Sequence, residues 1–146
     1  MSYIKRSLLL LTVCALSSCN LFDNEKVEEP DLASEVAGTY LVTYESKDYT
    51  ASDVLVEITK TYNDEVRISP PEPSDHATFK ASVTRSSGDN LGLGVKDQFS
   101  EDLIIYGKSS SGLDGRYKPE DQSLVYTVIY EYAGVQDTAV VAGVRQ

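Results

Sequence analysis

The stretch Ala77-Thr78-Phe79-Lys80-Ala81-Ser82-Val83-Thr84 sets apolar side chains at every odd number and polar or charged ones at every even number. A strand turns successive side chains to opposite faces, so this segment reads as a strand with one face in a core and the other in water. The same period recurs on both sides of it. Val54, Val56 and Ile58 alternate with Leu55, Glu57 and Thr59, and Leu91, Leu93 and Val95 continue the scheme around Gly92 and Gly94. Leu124, Tyr126, Val128, Tyr130 and Tyr132 form one long row, and Val140, Ala142 and Val144 carry the pattern on toward the C-terminus. No convincing helical stripe interrupts it from residue 36 onward.

Turn chemistry separates these runs: Tyr62-Asn63-Asp64-Glu65, Ser86-Ser87-Gly88-Asp89-Asn90, Ser109 to Gly112, Lys118-Pro119-Glu120-Asp121 and Ala133-Gly134. About eight strands are therefore expected, near residues 38–46, 53–61, 65–69, 76–86, 91–98, 102–108, 113–118 with 123–132 as one strand split by its turn, and 136–145, with neighbours pairing in order. A meander has two exposed edges, and closing the sheet on itself removes them. Residues 36–146 suffice for one core, which buries roughly two thirds of the unfolded surface. The expected fold class is all-β: one antiparallel meander barrel, with a β-sandwich as the alternative, since a sandwich uses the same alternation.

Val36-Ala37-Gly38-Thr39-Tyr40 resembles the opening strand of lipocalin-like (calycin) domains, in which a glycine, one residue and then a tryptophan close the base of the barrel. Tyr40 stands where the tryptophan would be. The rest of the likeness lies in pattern: Val56-Glu57-Ile58 returning through Asn63-Asp64 to Val66-Arg67-Ile68, then a meander whose last strand ends the sequence. The resemblance implies a barrel that either packs solid or holds one small ligand.

The N-terminus has a different character. Lys5 and Arg6 precede an apolar run, Ser7 to Leu16, that ends in small residues, the layout of a secretory signal peptide. The run falls short of the ~20 apolar residues a membrane span needs. Leu16-Ser17-Ser18-Cys19 resembles the bacterial lipobox, which implies cleavage between Ser18 and Cys19 and acyl chains on Cys19 as the link to a membrane. By resemblance to lipoprotein sorting rules, Asn20 and Leu21 favour the outer membrane. Residues 19–35, with Asp23, Glu25, Glu28, Glu29, Pro30 and Asp31, read as an acidic tether. That acidity loosely resembles signals for surface display, and a solvated spacer is the plainer reading of it.

Composition removes several functions. Thirteen Lys+Arg against 23 Asp+Glu give a net charge of -10, with no cationic cluster beyond the first residues, so no nucleic-acid partner is expected. One His and two Cys are too few for zinc ribbons, His-rich sites or disulfide frameworks. No metal or cofactor is expected. His76 could be a general base oriented by Asp75 toward a serine, but adjacent strand residues point to opposite faces and no G-x-S-x-G elbow exists, so it reads as a loop or strand-edge histidine in water. The acid pairs Asp64-Glu65, Glu101-Asp102 and Glu120-Asp121 read as solvated charges at turns. Gly92-Leu93-Gly94 lacks the flanking strand and helix of a phosphate cradle and reads as a place where the sheet bends. No catalytic residue is expected, and the protein is read as a non-enzyme.

The tyrosines are the most suggestive feature. Tyr40, Tyr44, Tyr126, Tyr130 and Tyr132 sit on strands, the last three on the face that carries Val128. If that face looks inward, Tyr40, Tyr44, Tyr126, Val128 and Tyr130 line a cavity for a small apolar or amphipathic ligand; otherwise they fill the core, or the row is exposed as a contact surface. The functional expectation is a lipid-anchored envelope lipoprotein binding such a ligand. The alternative is an accessory module that offers a β-surface to an envelope protein or extracellular polymer.

Overall fold

A computed structural model describes residues 28–146. The signal segment 1–18, the cleavage and lipidation residues Ser18 and Cys19, and the tether up to residue 27 lie outside the described residues.

A five-residue helix, α1 (Leu32–Val36), precedes ten strand segments: β1 (Gly38–Glu45), β2 (Thr50–Tyr62), β3 (Glu65–Ser69), β4 (Phe79–Arg85), β5 (Leu91–Val95), β6 (Gln98–Phe99), β7 (Leu103–Gly107), β8 (Gly115–Lys118), β9 (Ser123–Tyr132) and β10 (Val135–Arg145). Every pairing is antiparallel, and β10 bonds to β9 on one side and β1 on the other, so the sheet closes. The barrel has eight wall strands because two of them are broken. β7 and β8 run along the same edge of β9, from Leu103 opposite Tyr132 to Gly107 opposite Val128, then from Gly115 opposite Tyr126 to Lys118 opposite Ser123. β5 and β6 face them in the same divided way. The closed ladder decides for the barrel over the sandwich.

The count of eight stands, but its composition differs from the sequence reading. Residues 113–118 do not share a strand with 123–132; they complete the strand begun at Leu103, and the turn at Pro119 is a true reversal. The run 108–114 leaves the wall and lies over β5, where Asp114 N–H donates to the Leu93 carbonyl at 2.7 Å. The Asp114 carboxylate accepts Val95 N–H at 2.9 Å and Ser109 N–H at 2.7 Å, which satisfies backbone groups at the break. A side chain on Gly94 would collide with the Gly112 carbonyl oxygen, so this glycine makes room for the crossing loop.

The inward faces hold the core: Tyr40, Val42 and Tyr44 on β1, Val56 and Ile58 on β2, Phe79, Ala81 and Val83 on β4, and Leu124 to Tyr130 at every second position on β9. On β10 the inward parity is Asp137, Ala139 and Val141, not Val140, Ala142 and Val144 as the alternation suggested. Residues 139–144 are apolar or glycine on both parities, so the pattern alone is silent there and the register with β1 decides.

α1 lies across one end of the barrel, within the last residues of the segment read as tether. Asp31 caps it by accepting Ser34 N–H at 3.1 Å, and Leu32, Ala33 and Val36 are buried. Tyr40 donates to the Val36 carbonyl at 2.6 Å and meets Tyr117 edge-to-face at 6.2 Å, with the Arg145 guanidinium 6.0 Å from both rings. At this tether end, Tyr40, Tyr117 and Arg145 occupy the base that one indole would close. Glu65, read as a solvated acid, is buried instead and ion-paired to Lys80 at 3.2 Å and to Lys96, while its partners in the other acid pairs remain exposed.

Gly94→Ala tests the crossing loop: the added methyl group has to displace backbone, so overpacking should cost about 1–3 kcal/mol, read as a lower urea midpoint with an unchanged slope.

Candidate functional site

The end of the barrel opposite α1 is organised by the segment between β3 and β4. Pro70, Pro71 and Pro73 stiffen it, and a 3-10 turn at Glu72–Ser74 is held by Ser74 Oγ donating to the Pro71 carbonyl at 2.7 Å. Asp75 then adopts a left-handed conformation at φ 57°, which turns the chain and delivers His76 into the barrel mouth. The imidazole is 6% exposed. Its Nδ1 lies 2.6 Å from Tyr44 Oη, its Nε2 lies 3.0 Å from Asp137 Oδ2, and its ring stacks on Tyr130 with centroids 4.2 Å apart and planes 1° off parallel. The sequence reading of a water-exposed histidine is thereby corrected, and so is its partner: Asp75 is exposed, whereas Asp137 enters from β10.

The protons can be assigned from chemistry. Burial pushes the Asp137 pKa up, but hydrogen bonds from Lys47 N–H, at 2.8 Å, and from His76 outweigh it and hold the carboxyl below its ordinary 3.8. An ionised carboxylate only accepts, so in the neutral imidazole Nε2–H donates to Asp137 and Nδ1 accepts the Tyr44 hydroxyl proton. Burial pushes the Tyr44 phenol far up, which keeps it a neutral donor.

Hydroxyl, imidazole and carboxylate in this order have the connectivity of a hydrolytic triad. Here the hydroxyl belongs to a fully buried tyrosine whose pKa is raised, so it is neither reachable nor activated. What the chain of bonds does is join three distant segments, from β1, the β3–β4 connection and β10, into a plug over Tyr130. Outside the plug is a cleft of about 410 Å³ lined by Tyr49, Pro73, Tyr132, Val135, Asp137 and His76 among others, with Lys47, Asp48 and Asp75 on its rim. Among the described residues, no group of three or more His, Cys, Asp or Glu is placed to hold a metal ion.

The five residues read as cavity lining are all buried. Tyr44, Tyr126 and Tyr130 come together under the plug, with Phe79 packed edge-on against the latter two at 5.7 and 6.3 Å. Val128 is buried between Tyr126 and Tyr130 on β9, whereas Tyr40 is at the opposite end beside Tyr117. Tyr132 sits at the rim, 39% exposed. The Tyr126 hydroxyl is buried with no partner among the described residues, and the Tyr130 hydroxyl has no well-formed bond, only an approach to the Tyr44 oxygen. Tyr44, which gives its proton to His76, sits close enough to Tyr130 to raise its pKa further, beyond the larger effect of burial.

No protein-family model matches the sequence, and no curated protein matches it. Among solved structures, the fold is similar to a crystal structure from Bacteroides fragilis described as a "putative outer membrane protein", with a TM-score of 0.50 and 14% identity over 79% of this chain and 53% of that one. The chain spans about half the length of that protein, and at this identity the likeness is one of fold.

The fold has a pH signature with a definite sign, to which the plug contributes through Asp137. Asp137 and Glu65 both have carboxyls held below their ordinary values, Glu65 chiefly by the Lys96 hydrogen bond against the upward push of burial. Groups of this kind contribute stability that is complete above the unfolded-state pKa and is lost as pH falls through the lower folded value. Urea midpoints should hold from neutrality to about pH 5 and drop below about pH 4, and Asp137→Asn should flatten part of that drop while lowering the midpoint at pH 7.

Proposed function

We propose that this chain is a bacterial envelope lipoprotein, cleaved between Ser18 and Cys19 and held at the outer membrane by acyl chains on Cys19, whose barrel binds a small amphipathic ligand without transforming it. The observation that carries the ligand reading is the pair of buried hydroxyls on Tyr126 and Tyr130. Leaving such a group unpaired in an apolar interior costs about 1–3 kcal/mol, and a ligand oxygen or ordered water that accepts from them recovers it. The fold likeness to a protein described as a "putative outer membrane protein" supports the envelope setting. So does the layout, because the tether enters at the α1 end and the plugged mouth faces the other way. The net charge of -10 favours a body that stands off an anionic lipid surface.

A second reading, an interaction module, is favoured by the outer wall. Leu55, Leu41 and Val144 face one another across β2, β1 and β10, and Leu55, Val144, Val140 and Val125 are 57%, 47%, 42% and 41% exposed. A contiguous apolar row of this kind is a contact surface when a partner covers it.

Three measurements test the proposal. Cys19→Ser should abolish incorporation of labelled palmitate in cells; labelling that survives overturns the anchor. The chain from residue 20 onward should bind the neutral fluorophore N-phenyl-1-naphthylamine and release it to extracted lipid, and absence of binding overturns the ligand reading. Tyr126→Phe should leave the melting temperature unchanged or raise it, because it deletes a hydroxyl that has no partner in the fold.

A further inference from the structure

The barrel wall is not hydrogen-bonded along its full height. On β4 the ladder to β5 ends at Ala81 opposite Val95, followed by one bond from Lys96 N–H to the Lys80 carbonyl at 2.9 Å. Beyond it, β6 pairs with β7 alone. The start of β4 and the free side of β6 therefore face each other across a seam, and there the structure opens into a cleft of about 390 Å³ lined by Ala77, Thr78, Gln98, Phe99, Leu103 and Ile105 among others. No lining residue is charged, in a chain whose residues are 25% charged, and Phe99 stands 74% exposed at its lip.

This cleft backs onto the unpartnered phenols. Ile105, at its floor, is the cross-strand neighbour of Tyr130 and only 3% exposed. Phe79, the residue after Thr78, packs on both Tyr126 and Tyr130. Ile105 and Phe79 thus link the uncharged opening to the two tyrosines, one by cross-strand pairing and the other by ring packing. The distal mouth offers no comparable route, being plugged by His76 and rimmed by Lys47, Asp48 and Asp75.

We propose that the seam between β4 and β6 is the binding site of a neutral, largely apolar molecule carrying a hydrogen-bond acceptor, of the class of long-chain esters and ketones. This rests on the ligand reading above and specifies its place and chemistry. The apolar part lies along Phe99, Leu103 and Ile105, and the acceptor oxygen reaches the Tyr130 hydroxyl once Ile105 and Phe79 shift rotamer. Phenols that remain protonated each keep a proton that an acceptor oxygen can take as a hydrogen bond. An anionic head group is disfavoured because neither the cleft nor the phenol cluster supplies a cation to replace its water. The volume falls within the ~300–1,000 Å³ of small-molecule sites.

The test uses the chain from residue 20 onward, with N-phenyl-1-naphthylamine as probe and methyl palmitate or palmitate as competitor at pH 8. Methyl palmitate should displace the probe at concentrations at least about tenfold lower than palmitate. Phe99→Glu and Thr78→Lys, at exposed positions where folding is preserved, should each weaken probe and ester binding by at least about tenfold, with unchanged melting curves. Tyr130→Phe should weaken the ester several-fold more than the probe. Parent-like binding by both charged variants overturns the seam while leaving the ligand reading intact. Equal displacement by palmitate and its ester overturns the neutral class, and a parent protein that binds no probe overturns seam and ligand reading together.

Discussion

Closure of the hydrogen-bond ladder through β10, paired with β9 along one side and β1 along the other, is the constraint on which this molecule depends. A sheet that closes around its circumference has an inside and an outside, and each wall residue belongs to one of them. A slip of one position would exchange every inward apolar side chain for its outward neighbour. The breaks in the wall, at 96–97 and 108–114, are tolerable because the pairing around the rest of the circumference holds the register and Asp114 satisfies the backbone groups they free.

The largest fully buried side chains are tyrosines, which supply apolar area together with a hydroxyl that must be accommodated. The protein meets this demand differently at different heights. Tyr40 hands its proton to a backbone carbonyl of α1, so the end nearest the tether is sealed by main chain. Tyr44 hands its proton to His76, and the far end is sealed by side chains drawn from three segments. Tyr126 and Tyr130 lie between these seals. The functional reading follows from that contrast, since Tyr40, Tyr44 and Tyr117 have partners within the fold, Tyr126 has none and Tyr130 has at most a loose approach to Tyr44.

Much of the architecture was legible in the alternation. The run Ala77 to Thr84 declared its faces because polar and apolar residues never share a parity there, and in the row Leu124 to Tyr130 the bulky Leu and Tyr side chains all fall on one parity. Residues 139–144 did not, because both parities are apolar or glycine, and only the pairing partner distinguishes them. The turn at Pro119 was visible, but whether 113–118 belongs before or after it in the wall depends on contacts with β9 rather than on local composition. His76 was read as solvated because nothing near it in sequence is its partner: Tyr44 and Asp137 are 32 and 61 residues away. The one available signal was Asp137 itself, an acid sharing its parity with Ala139 and Val141, which as an inward charge requires a partner. The seam was illegible because Gln98 and Phe99 look like the continuation of β5, and the loss of pairing arises only where the chain bends at Lys96 and Asp97.

The rung that joins Tyr40 to Arg145 also sets an order of events in the life of the chain. Until residues 135–145 have emerged, both β1 and β9 carry rows of vacant amides and carbonyls, and the nascent polypeptide is an open ribbon able to stick to its neighbours. Closure of the barrel therefore waits on the meeting of two segments about a hundred residues apart in sequence, a long-range contact that is slow to form.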